Sequence, residues 1–438
     1  MSMLAEVVLG LPPMVVGPEV GVAFPTSIEA LYTAGPDFLT AAFHAAGAIA
    51  ADNRVTAITK ASEFFGGGMG RKLWLDVDYA HHQPGLHREL FVKFPRDFGD
   101  PLRDLFAPLM APEVRFALLS RRPNFPIEVA RCYFADYEPV TKSGLLITQR
   151  IAFGKGEIER ALDKCCDAEL ADSLPYYRAM TRAMATLAAH HQSGKLGNLD
   201  QSFPYRPDED VGARIPFPRE ALAGKIAALR ALAETAPGLF QDKLGDRLFL
   251  DQFAAEAELA MANEDAIRAF LARNSDLVAL CHWNMNIDNA WFRRDSAGAL
   301  HVGLLDWGSV GQMNLGQAFF GMTCAAEIEF MNRHRGNLLT ELADTYEREG
   351  GPVVSLEEFD RAVKLSTALL GLAWIVDAPA VIEQMAPDYA TASDRCDPII
   401  RDNFLARAQL QILMNFLNAW RSDRIGEALR KFAAGNNG

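Results

Sequence analysis

Residues 277–308 read LVALCHWNMNIDNAWFRRDSAGALHVGLLDWG. Two runs rich in β-branched and aromatic residues flank the turn sequence Asp295-Ser296-Ala297-Gly298, the signature of an antiparallel hairpin. On both sides the chain has helical texture, so the hairpin is a β island and the first place to look for chemistry. His282, Asn284 and Asn289 fall on the loop before the first hairpin strand, and Asp306 ends the return strand. The pairing is expected to bring Asn289 and Asp306 side by side although they are 17 positions apart. One amide oxygen and one carboxylate suit magnesium, a hard cation that takes oxygen ligands and borrows the rest from phosphates and water. Either residue alone would more often satisfy loop backbone groups; the spacing of the set favours chemistry.

Upstream, residues 54–150 have a different texture: RVTAITKASEFF, RKLWLDVDY, ELFVKF, IEVARCYFADY and SGLLITQRI, a five-strand pattern. One helical interruption is expected over residues 101–120, with Asp100-Pro101 and Pro112-Glu113 as starts. Gly66, Gly67, Gly68 and Gly70 lie between the first two strands, where backbone without side chains can approach phosphates closely, or simply turn a hairpin. In ELFVKF, Leu90, Val92 and Phe94 share one face, and Phe91 and Lys93 the other. A lysine in so apolar a strand needs a partner, because an unpaired buried ammonium is costly.

From residue 151 onward the chain is Ala-, Leu- and Met-rich with helical periodicity, and the polar stretch 193–218 reads as a loop. Before Arg54 the pieces are helical, with Phe38, Leu39, Ala42 and Phe43 on one apolar face. The expected organisation is an N-terminal helical extension (1–53), a β-rich lobe (54–150) and a helical lobe (151–438) with the hairpin site at 277–308. The net charge of -13 gives no basic field for nucleic acid or an anionic membrane. Residues 1–150 hold 14 basic and 16 acidic side chains, which leaves -11 of that charge to the remainder. This bulk acidity favours a neutral or cationic small-molecule partner. Six cysteines without a CxxC pair, an N-terminus without a basic stretch, and no apolar run near 20 residues point to a reduced, cytoplasmic protein. Oligomeric state is not legible. His81-His82 and His190-His191 lack ligand spacing, Ser309 falls one residue short of a nucleophile elbow, and Trp291, Trp307 and Trp374 read as core or pocket walls.

His282-Trp283-Asn284 followed by Asn289, then Asp306-Trp307-Gly308, resembles the H-G-D-x-x-x-x-N and D-W/F-x signatures of aminoglycoside phosphotransferases and the related choline and ecdysteroid kinases. The resemblance covers about residues 54–320. It implies an α+β, protein-kinase-like two-lobed fold with a β-rich N-lobe and a mainly helical C-lobe. It further implies that Asn289 and Asp306 hold magnesium on the nucleotide, that Asn284 occupies the catalytic-base position, and that His282 braces the loop. Lys93 would contact the phosphates and pair with a helix glutamate, Glu113, with Asp104 and Glu89 as competitors. Gln149, in the stretch 145–150, would lie where the hinge faces adenine.

Three departures accompany the match. Asn284 replaces the base aspartate, Trp283 a glycine, and Asn314 with Ala318 the acidic residues of a following G-D-P-x-x-D-L pattern. General-base help is worth about 10²–10⁴-fold, so its loss predicts slow turnover before it predicts none. Asp288 is the nearest substitute carboxylate. The leading expectation is an ATP- or GTP- and magnesium-dependent small-molecule kinase acting on a hydroxyl. The alternatives are a pseudokinase that binds nucleotide or ligand with little catalysis, and a structural relic that binds neither.

Overall fold

The computed structural model describes residues 12–64, 70–208 and 214–436. The chain divides into two compact units, one running to Lys155 and including Gly303–Val310, the other formed by Gly156–Val302 and the chain from Gly311 onward. The first is β-rich and the second mainly helical.

The first unit opens with a short hairpin, β1 (Met14–Val16) and β2 (Ala23–Pro25), then a helix over Ile28–Ala45. Five strands follow: β3 (Val55–Phe64), β4 (Gly70–Tyr79), β5 (Glu89–Pro95), β7 (Cys132–Glu138) and β8 (Ser143–Gln149). They form an antiparallel sheet in the order β3-β4-β5-β8-β7. Alternation fixes which face is dry: Leu90, Val92 and Phe94 join Leu73, Leu75, Val77, Leu145 and Ile147 in one core. Phe38, Leu39, Ala42 and Phe43 of the first helix close that core, so the segment before Arg54 packs directly on the sheet and contributes a hairpin as well as a helix.

Two local readings differ from expectation. The interruption between β5 and β7 is two helices, Arg103–Phe106 and Met110–Leu119, joined by a 3-10 turn, and the second begins two residues before Pro112. The stretch IEVARCYFADY is broken: Glu128–Val129 (β6) leaves the sheet and pairs in parallel with Gly303 and Leu304, and only Cys132 onward joins β8.

Gly70 has a structural reason to be glycine. A Cβ there would lie 2.1 Å from the Phe94 carbonyl oxygen, so the start of β4 can approach β5 only without a side chain. Gly66, Gly67 and Gly68 lie outside the described residues.

In the second unit, β9 (Val278–Cys281) pairs antiparallel with β12 (Gly311–Asn314). Between them lie β10 (Ala290–Arg294) and β11 (Leu300–Leu304). The turn joining these two is closed by Asp295, whose Oδ1 accepts from the amides of Ala297 and Ala299. The rest of the second unit is built of helices, the long ones Leu174–Gln192, Ile328–Arg348, Leu356–Trp374 and Phe404–Ser422 among them, with Phe253, Leu365, Leu369, Phe416 and Leu417 in its core. Trp291 and Trp307 are buried as expected, whereas Trp374, at a helix end, is 54% exposed. Among the described residues no single helix is long and apolar enough to cross a membrane.

Asp136, fully buried on β7, accepts from the amides of Glu19 (3.1 Å), Val20 (3.0 Å) and Tyr137 (2.8 Å). It ties the N-terminal arm to the sheet. Asp136→Ala would remove the acceptor from all three donors, and the buried Tyr137 amide alone costs about 1–3 kcal/mol when left unpaired. We expect a loss of at least about 2 kcal/mol in urea unfolding; a change under about 0.5 kcal/mol would show the arm is held otherwise.

Candidate functional site

In the first unit the chemistry gathers around Lys93. Its ammonium, 4% exposed, donates to both carboxylate oxygens of Glu113 (3.0 and 2.8 Å) and to Asp306 Oδ1 (2.9 Å). Burial alone disfavours the charge, but Asp306 and Glu113 outweigh it and hold the group well above the ordinary lysine range. The competitors are engaged elsewhere: Asp104 with Lys142 (2.8 Å) and Glu89 with Arg150.

Asp306 is aimed by its surroundings. Leu304 is pinned by the β11–β6 pairing, and Trp307 stacks on Phe116 (centroids 3.7 Å apart, 20° between planes). Phe116 is three residues after Glu113, so one helix carries both the partner of Lys93 and the anchor beside Asp306. Between these fixed points Asp306 takes a left-handed backbone conformation (φ 54), which aspartate tolerates better than most residues. Its side chain remains 39% exposed.

Sequence reading missed Lys72. It stands directly opposite Lys93 in the β4–β5 register, and opposed residues of an antiparallel pair share a face. Burial and the charge of Lys93 push its ammonium below the ordinary range, against the pull of Asp306 and Glu113. The alternation of RKLWLDVDY signals its face, but only the register reveals its neighbour. The same face carries Trp74 opposite Phe91, with Phe64 stacked on Trp74 at 4.1 Å. A half-buried aromatic surface thus adjoins two lysines. Gln149, at the end of β8, accepts from the Arg131 amide (3.5 Å) and its own amide donates to the Arg131 carbonyl (2.8 Å).

The second unit holds the loop between β9 and β10. His282 is buried, and its Nδ1 accepts from the Asn284 amide (3.1 Å). Asn289 Nδ2 donates to the Asn284 carbonyl (2.8 Å). Asn286, also missed, is buried at the centre of this network: its Nδ2 donates to the Gly321 carbonyl (3.1 Å) and to Asn284 Oδ1. Gly321 permits the approach, since a Cβ there would lie 1.9 Å from the Trp283 carbonyl oxygen. Asn314 caps the helix bearing Gly321, accepting from the Gly316 amide (2.8 Å) and donating to the Leu271 carbonyl (3.0 Å). It therefore has a structural task where an acidic motif was expected. Asp288 faces Lys164 at 3.9 Å.

Asn289 belongs to the second unit and Asp306 to the first. Among the described residues no group of three or more His, Cys, Asp or Glu side chains is arranged to hold a metal.

No family model matches the chain, and no curated protein is significantly similar to it in sequence. Solved small-molecule kinases are similar to it in structure. A spectinomycin phosphotransferase in complex with ADP and spectinomycin is 11% identical, over 86% of this chain and 94% of that one, with a TM-score of 0.39. A choline kinase from Cryptosporidium parvum is 14% identical, over 80% and 88%, at 0.37. A choline kinase from Streptococcus pneumoniae is 13% identical, over 80% and 94%, also at 0.37.

One buried acid near the loop gives a pH test. Burial pushes Asp167 up to about 7, opposed by the hydroxyl of Tyr177, which donates to its Oδ2, and reinforced by Glu327 and Asp288. Well below about pH 4 folded and unfolded chains both hold this proton. As pH rises toward 7 the unfolded chain releases it first, so the fold loses on the order of 2–4 kcal/mol across that window. Asp167→Asn is expected to raise the melting temperature at pH 8 and to change it little at pH 4. Equal melting of the two proteins at pH 8 would contradict an Asp167 held well above the usual carboxylate range.

Proposed function

We propose that this protein is a phosphotransferase that uses ATP or GTP with magnesium to phosphorylate a small molecule. The observation that carries the reading is the buried Lys93 ammonium held between Glu113 and Asp306. A lysine on the third strand of an antiparallel sheet, paired to a glutamate on the next long helix, is the arrangement kinases use to present a positive charge to nucleotide phosphates. Lys72 adds a second cation on that face, and Trp74 with Phe91 offers π-surface of the kind a base can stack on.

Taken one at a time, Asp306 and Asn289 are donors of the kind magnesium takes: Asp306 carries a carboxylate, and Asn289 has its Nδ2 committed to the Asn284 carbonyl, so the end left for a cation is its oxygen. A metal held by such donors would neutralise phosphate charge. The protein's own part is to orient: Lys93 holds phosphate oxygens, Glu113 keeps the lysine charged and in place, and His282 with Asn286 shapes the loop around Asn284. A pseudokinase is the second reading, motivated by a neutral amide at position 284.

Thermal melting tests the nucleotide site. Millimolar ATP or GTP with magnesium is expected to raise the melting temperature by several degrees through preferential binding to the folded state. Asp306→Asn should remove the magnesium-dependent part of that shift, read against the variant's own unliganded melting, which is expected to fall because Asp306 also accepts from the buried Lys93 ammonium. No shift with either nucleotide sinks the proposal.

A further inference from the structure

The loop network decides which end of Asn284 faces outward. The Gly321 carbonyl can only accept, so the end of Asn286 that contacts it is the amide NH₂. That same NH₂ meets Asn284, whose contacting atom must therefore be its oxygen. Asn284 Oδ1 is thus committed, and among the described residues its Nδ2 makes no hydrogen bond. At the position where a kinase presents a base, this protein presents a donor.

The rest of the loop supplies no substitute. His282 already uses Nδ1 to accept from the Asn284 amide, so its other nitrogen carries the proton. Asp288 is drawn to Lys164. A neutral hydroxyl would meet a group that draws on its lone pairs instead of removing its proton, which lowers its nucleophilicity. An oxygen that is already ionised needs no base. It has lone pairs to spare for Asn284 Nδ2, and an aspartate in the same place would repel it.

We infer that the acceptor attacks through an oxyanion ionised at neutral pH, a carboxylate or a phosphate monoester, with Asn284 Nδ2 holding one of its oxygens. This rests on the phosphotransferase reading above and names the acceptor class for it. In the step, the acceptor oxygen bonds to the γ-phosphorus as the bond from that phosphorus to the β,γ-bridging oxygen breaks. The nucleoside diphosphate leaves with that electron pair, and no proton is released. The inference departs from the neutral or cationic acceptor that bulk charge suggests, because a local donor acts at hydrogen-bond distance while the distributed charge is screened over about 8–10 Å.

The test is nucleoside diphosphate release by the full-length protein with magnesium-ATP or magnesium-GTP. Short monocarboxylates and sugar phosphates are compared with the alcohols and sugars of the same skeletons. Hydroxylamine traps an acyl phosphate as a hydroxamate, and phosphorus NMR reports a new diphosphate, which separates the two anionic classes. We expect at least tenfold faster release with one anionic class than with its neutral counterparts. Asn284→Asp should cut that rate at least tenfold while the nucleotide-dependent thermal shift persists. Preferential turnover of the neutral series overturns the inference and leaves the phosphotransferase reading standing. A thermal shift without turnover of any acceptor overturns it in favour of a pseudokinase. Absence of the shift itself overturns both.

Discussion

A single buried cation organises the first unit. Removing Lys93 from water is costly unless its charge is met by well-placed anions. Meeting it requires the Met110–Leu119 helix to lie at a fixed height on the sheet, so that Glu113 offers both carboxylate oxygens to the ammonium while Val114 and Phe116 pack. It also requires the chain that returns at Gly303 to pair with β6 and end on Asp306. Helix position, the broken strand and the left-handed turn at Asp306 are consequences of the same requirement. An ammonium satisfied in this way is also fixed, and it would need no reorganisation if further charge arrived beside it.

Much of this was legible because it is local. The alternation in ELFVKF separates Lys93 from the core residues beside it, and the turn Asp295-Ser296-Ala297-Gly298 between two strand-like runs exposes the hairpin. What escaped depends on register or on long-range contacts. Lys72 is one of several polar residues on β4 until the pairing sets it against Lys93. Asn286 reads as a loop asparagine until the Gly321 carbonyl, 35 positions away, meets its amide. The break at residues 130–131 arises because β6 finds a better partner in a distant segment than in β8, a competition that propensity does not encode. Trp374 escaped for the opposite reason: its helix is deeply packed, but the residue sits at the helix end, where the buried stripe runs out.

The glycines show how chemistry and packing are confused at the level of letters. Gly70 belongs to a run that looks made for phosphates, yet the Phe94 carbonyl leaves room for nothing larger. Its identity is explained by the sheet before any ligand is considered. Asn314 is similar, since the helix cap accounts for it fully. A departure from an acidic motif is therefore informative only where the structure supplies no other reason for it.

Asn284 is such a position. An aspartate there could accept from Asn286 Nδ2 as the amide oxygen does, and a charged acceptor would make that bond stronger. Asn289 bonds the main-chain carbonyl of residue 284, and His282 its main-chain amide, so neither depends on the side chain. No neighbour in the loop demands an amide. What distinguishes asparagine from aspartate at this point is the end that the network does not use: an NH₂ instead of a second carboxylate oxygen. Because the fold would hold either residue equally well, the difference between them is exerted on whatever binds beside the loop.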